Sequence, residues 1–166
     1  MSIASRFVSA CLISLFSWLM SFALVTLPAQ AGAIEPYVLR YLDAKQPVAV
    51  RVNEQGETRS FSAEDLSEGQ QLFSENCLNC HVGGATLPDP TVPLSLEALK
   101  GAMPPRDTLD GLVAFIRQPM NYDSTEEAYL CRQVPESWLS QKQVENLAAF
   151  VLRAAEKAPG WGTTSF

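Results

Sequence analysis

The sequence has a single histidine in 166 residues, His81. Whatever centre that side chain serves, a second histidine cannot complete it. Basic residues are also scarce, with 12 Lys and Arg against 18 Asp and Glu. So acidic a chain has little electrostatic attraction for nucleic acid or for an anionic membrane, and a basic partner surface suits it better. No internal repeat and no low-complexity tract is visible, and the length fits one small domain.

A long hydrophobic run occurs once, at the start. Arg6 precedes "FVSACLISLFSWLMSFALVTL", and Ala29-Gln30-Ala31 ends the segment as an A-x-A cleavage site. An uncleaved anchor is the alternative, since the run approaches the length of a spanning helix. The small-residue ending, with no basic residues behind it, favours a secretory signal over residues 1–31 and a mature domain over 32–166. Cleavage removes Arg6 and no acidic residue. That leaves 11 basic against 18 acidic side chains, a net charge of −7. It also removes Cys11, leaving Cys77, Cys80 and Cys131, an odd number of thiols in an oxidising compartment.

The mature part reads as mainly helical. Pro36 to Leu42 offers a short turn or helix. Val48, Val50 and Val52 alternate, a turn falls near Asn53 to Gly56, and the pattern resumes to Phe61, which predicts a small β-hairpin. Ser62 and Asp65 predict the start of a helix that carries Leu66, Gly69, Leu72 and Phe73 towards Cys77. The prolines of "LPDPTVP" mark a loop, and a short helix follows from Ser95 to Lys100. Asp107 is the expected cap of a helix bearing Leu109, Leu112, Val113 and Ile116, ended by Pro119. Ser140 and Gln143 form a capping box before the stripe Val144, Leu147, Ala148, Val151, Leu152 and Ala155. These apolar residues alone make a thin core, and a large flat cofactor would add to it.

"CLNCHVGG", Cys77 to Gly84, supplies the reason for such a cofactor. In C-x-x-C-H two cysteines at the end of a helix form thioethers to one haem, and the following histidine binds its iron. Cys77 and Cys80 are therefore the predicted attachment points and His81 the proximal ligand of one covalent haem c. A thioredoxin-like pair would need a strand leading into the motif. A zinc site built from Cys77, Cys80, His81 and Cys131 would force adjacent Cys80 and His81 onto one small ion.

Together with "PPRDTLDGLVAFI", "QPMNYD" and the terminal "GWG", this motif resembles the PsbV family, the extrinsic low-potential cytochromes of the lumenal side of photosystem II. The resemblance implies a monohaem class I-like cytochrome c fold with an N-terminal hairpin. It also implies association with the oxygen-evolving complex and a haem held by two histidines. Cys77, Cys80 and His81 carry over directly. The family's second histidine is replaced here by Cys131, in "EEAYLCRQVPE", and the stretch from there to the last helix is shorter. In this the chain is similar to the divergent PsbV-like paralogues.

For the sixth ligand, Cys131, Met120 and Met103 are the candidates, with Lys100 and Lys142 weaker ones. Methionine is usual in electron carriers and raises the potential. Cys131 is the one thiol without a partner, and it matches the family's distal position. An anionic thiolate on an acidic protein predicts a low potential. The expected function is electron transfer or structural support at photosystem II, peripheral to the lumenal thylakoid surface, and not enzymatic. A soluble redox partner with a basic surface would suit it equally. A histidine–cysteine haem in sulfur oxidation, or in redox or gas sensing, is the alternative.

Overall fold

The computed structural model describes residues 32–89 and 91–163. The expected signal segment, residues 1–31, lies outside the described residues. The order is α1 (Pro36–Tyr41), β1 (Val48–Arg51), β2 (Thr58–Phe61), α2 (Ala63–Asn76), a 3₁₀ turn (Val82–Gly84), α3 (Leu96–Gly101), α4 (Leu109–Arg117) and α5 (Gln141–Lys157). The fold is mainly helical with one small antiparallel sheet, as the patterning implies.

The hairpin pairs Val48 with Phe61 and Arg51 with Thr58, and buries Val48, Val50 and Phe61 on one face. Arg51 forms an ion pair with buried Asp107, and the Asp110 N–H donates to the Val52 carbonyl at 3.0 Å. The hairpin is thereby fastened to the start of α4. This corrects one expectation. Thr108, not Asp107, caps α4 by accepting from the Gly111 N–H, because the Asp107 carboxylate is engaged by Arg51.

The two longest helices form the frame. Helix α2 opens with the Ser62/Asp65 capping box and α5 with the Ser140/Gln143 box. They cross at Gly69, where a Cβ would stand 2.1 Å from the Asn146 carbonyl oxygen. Only glycine lets the two backbones approach so closely. Beside the crossing, Phe73, Phe150 and Trp161 stack with ring centroids 5.4–5.8 Å apart. Buried Arg153 on α5 donates from Nε to the Leu42 carbonyl at 2.8 Å, tying the end of α1 to the core. This rigid pair of helices sets where α2 ends, and therefore where Cys77 stands.

Candidate haem site

Cys77 is the C-cap of α2, its N–H donating to the Phe73 carbonyl at 2.8 Å. The chain then turns back on itself. The Cys80 and His81 N–H groups donate to the Cys77 carbonyl at 3.1 and 3.0 Å, and the Leu87 N–H donates to the Cys80 carbonyl at 2.8 Å. Gly83 and Gly84 sit at φ of 59° and 79°, which lets the turn close. Against its back lies the C-terminal Gly-Trp-Gly. The Gly162 N–H donates to the Gly83 carbonyl at 2.8 Å, and Trp161 Nε1 donates to the Leu94 carbonyl at 2.9 Å.

The His81 ring is oriented by its own loop. Nδ1 lies 3.1 Å from the Ala85 carbonyl and 3.2 Å from Thr86 Oγ1. The Thr86 hydroxyl spends its proton on the Val92 carbonyl at 2.8 Å, so towards His81 it can only accept. The proton therefore belongs on Nδ1 and the Nε2 lone pair is left for a metal. Burial lowers the His81 pKa, against the opposing pull of the Ala85 hydrogen bond. Both geometry and desolvation present a neutral imidazole, the ligating form.

A cleft of about 380 Å³ opens in front of that ring. Cys80 and His81 line it together with Met120, Cys131 and apolar residues that include Val92, Leu94, Leu99, Leu112 and Phe115. Concave and mostly apolar in its exposed surface, it has the character of a cofactor pocket. Cys131 is brought there by a loop that folds back on Met120. Met120 bridges to Glu127, the Ala128 N–H donates to the Pro119 carbonyl at 3.1 Å, and the Cys131 N–H donates to the Ala128 carbonyl at 3.2 Å.

The three thiols lie close enough to feel one another. Burial, then Cys131 and Cys80, push the Cys77 thiol up to about 12. Burial likewise raises Cys131, partly offset by the positive charge of Arg106. None of the three is in a disulfide.

The other ligand candidates fall away from the cleft. Met103 is 65% exposed and is not part of the lining. Lys100 is exposed, and Lys142 pairs with Asp65 at the start of α2. Among the described residues, no group of three His, Cys, Asp or Glu side chains is poised to hold a metal ion unaided, which disfavours the zinc arrangement. Arg106 and Thr86 join the predicted residues at this site. Both line the cleft, and neither carries a local signal beyond its place in "PPRD" or beside "HVGGA".

The family model described as Cytochrome c-550 domain matches residues 41–166. The chain belongs to the cytochrome c-550 family. It is 63% identical over 137 residues to the cytochrome c-550-like protein of Trichodesmium erythraeum, covering 82% of each chain. It is 45% identical over 133 residues to photosystem II extrinsic protein V of Gloeobacter violaceus, covering 80% of this chain and 72% of that one. The crystal structure of the PsbV2 cytochrome from Thermosynechococcus elongatus superposes with a TM-score of 0.78 at 57% identity, covering 79% of this chain and all of that one.

As a member of the cytochrome c-550 family the protein carries covalently bound haem c, and the residues present suit it. Haem supplies an iron that takes up and releases one electron. In such a site His81, held by the Ala85 carbonyl and Thr86, would present its Nε2 to the iron, and the charged residues that line the cleft would set the local potential.

Proposed function

We propose that this protein is a low-potential, single-haem cytochrome with His81 and Cys131 as its two axial ligands. It would lie peripherally on the lumenal face of photosystem II, transferring electrons or supporting the oxygen-evolving complex. The carrying observation is that Cys131 and His81 line one cleft in a chain with no other histidine. Ferric iron favours a thiolate, and the anionic ligand lowers the potential. Met120 lines the same cleft and is the competing sulfur ligand.

Cys131→Ser tests the ligand set. The variant should keep its covalent haem, since Cys77, Cys80 and His81 are untouched. Its ferric EPR and visible spectra should change to high spin or to a new axial pair, with a higher potential. Cys131→His should produce a bis-histidine spectrum. Unchanged spectra in Cys131→Ser, with altered spectra in Met120→Ala, would give the position to methionine.

The location rests on the name of the Gloeobacter relative, photosystem II extrinsic protein V, and on the acidic charge. No helix among the described residues is long and apolar enough to cross a membrane. Charge-guided docking weakens as salt screens it, so concentrated salt should release the protein from thylakoid membranes. Retention through salt and alkaline washes would refute peripheral attachment. The family offers no support for the sulfur-oxidation or sensing alternative.

A further inference from the structure

Arg106 stands between α3 and α4 and lines the haem cleft. Its Nη2 donates to the backbone carbonyls of Met120, at 3.2 Å, and Asn121, at 2.5 Å. Its guanidinium carbon lies 4.0 Å from the centroid of the Phe115 ring, another cleft residue. Three carboxylates, Asp89, Glu126 and Glu127, line the same cleft. Among the described residues none of them, nor any other carboxylate, forms an ion pair with Arg106.

A half-buried cation without a partner charge is costly unless its setting holds another source of negative potential. Two carbonyl dipoles and an aromatic face supply part of that compensation. Arginine does not lose its proton under such conditions, so the charge is permanent.

We propose that Arg106 is the fixed positive charge of the haem site. It raises the reduction potential of the iron, and it holds the Met120–Asn121 segment to the cleft wall. Only haem c in this cleft is required; the role stands whichever side chain binds the iron opposite His81. Reduction adds one electron to the cofactor and leaves the protein charges as they were. A positive charge held nearby therefore favours the ferrous form. Asp89, Glu126 and Glu127 act in the opposite sense, and Arg106 limits how far they lower the potential. Nη2 reaches both carbonyls while the planar guanidinium stacks on Phe115, a combination that a lysine ammonium cannot reproduce. A lysine at this position could keep the charge without the clamp.

Two variants of the exported holoprotein separate charge from clamp. In Arg106→Met the aliphatic contact with Phe115 survives and the charge is lost. The ferrous-to-ferric ratio at a fixed ambient potential should fall by on the order of tenfold, which is about 59 mV for one electron. In Arg106→Lys the potential should stay near the parent value. The ferric EPR signal should meanwhile broaden or split, as the distal segment loses its tether. The Arg106→Met shift should persist at high salt, because a partly buried charge is poorly screened. If Arg106→Met yields no holoprotein, Arg106→Gln removes the charge while keeping a donor for the carbonyls, and should show the same fall. An unchanged potential in the neutral variants would overturn the proposal. So would an equal fall in Arg106→Lys, or a shift that disappears in salt.

Discussion

Adding one methyl group at Gly84 should damage the haem-attachment turn more than the same change at its neighbour. Both glycines have positive φ, 59° at Gly83 and 79° at Gly84. An L-residue pays about 1–2 kcal/mol to adopt such a backbone. A Cβ at Gly83 would meet nothing within 4 Å, so Gly83→Ala should cost only that conformational term. At Gly84 the Cβ would stand 2.7 Å from Trp161 Cδ2 and Cε2, and 2.7 Å from the Gly162 backbone nitrogen. Trp161 cannot swing aside freely, because its Nε1 is committed to the Leu94 carbonyl and its ring packs on Phe73 and Phe150. Overpacking of this kind adds about 1–3 kcal/mol, giving about 2–5 kcal/mol in all for Gly84→Ala. That is a large part of the roughly 5–15 kcal/mol that stabilises a typical domain. Thermal or denaturant unfolding of the two holoproteins, followed by far-UV circular dichroism, measures the difference. Combining Gly84→Ala with Trp161→Leu should recover the part of the clash due to the indole and leave the φ cost and the contact with the Gly162 nitrogen, a non-additivity of about 0.5–3 kcal/mol. Equal losses for the two single variants would refute the reasoning, since they would mean that the Gly-Trp-Gly segment yields without cost.

Gly69→Ala sets helix propensity against packing. Alanine should favour α2 by about 1 kcal/mol, but its methyl would lie 2.1 Å from the Asn146 carbonyl oxygen. A backbone clash of that depth should win, lowering the midpoint of unfolding; a raised midpoint would show that the helices separate easily. Asp65 gives a pH dependence. Burial alone would raise its carboxyl, but the Ser62 N–H and hydroxyl and the Lys142 charge outweigh it, so its pKa lies below the ordinary 3.8. A carboxyl held low stabilises the folded state above its ordinary value, and the benefit is lost as pH falls through the folded one. Asp65→Asn should therefore be less stable than the parent at pH 7, with the gap closing below about pH 4. A gap that persists to pH 2 in urea titrations would assign the effect to shape and not to charge.

Much of the fold was legible because its signals are local. The capping boxes at Ser62/Asp65 and Ser140/Gln143 each span four residues, the hairpin alternates over a few positions, and the α5 stripe repeats on one helix. The spacing of Cys77, Cys80 and His81 is likewise a covalent property of one short stretch, which is why haem attachment could be read directly. Asp107 misled because a capping residue and an ion-pair partner look alike in sequence, and Arg51, which decides between them, is 56 residues away.

The sequence by itself determined the helical class, the haem motif and the absence of a second histidine. Only the tertiary structure decided which distant side chains meet that motif. Met103 and Met120 both lie in proline-flanked segments, yet one faces solvent and the other lines the cleft, because the return of the chain from Glu126 to Cys131 pairs with Met120. Arg106 gains its place through carbonyls 14 and 15 residues further on, and Trp161 through a loop 67 residues before it. No short window of sequence encodes such pairings. They follow from how α2 and α5 pack around Gly69 and where that packing leaves the loops.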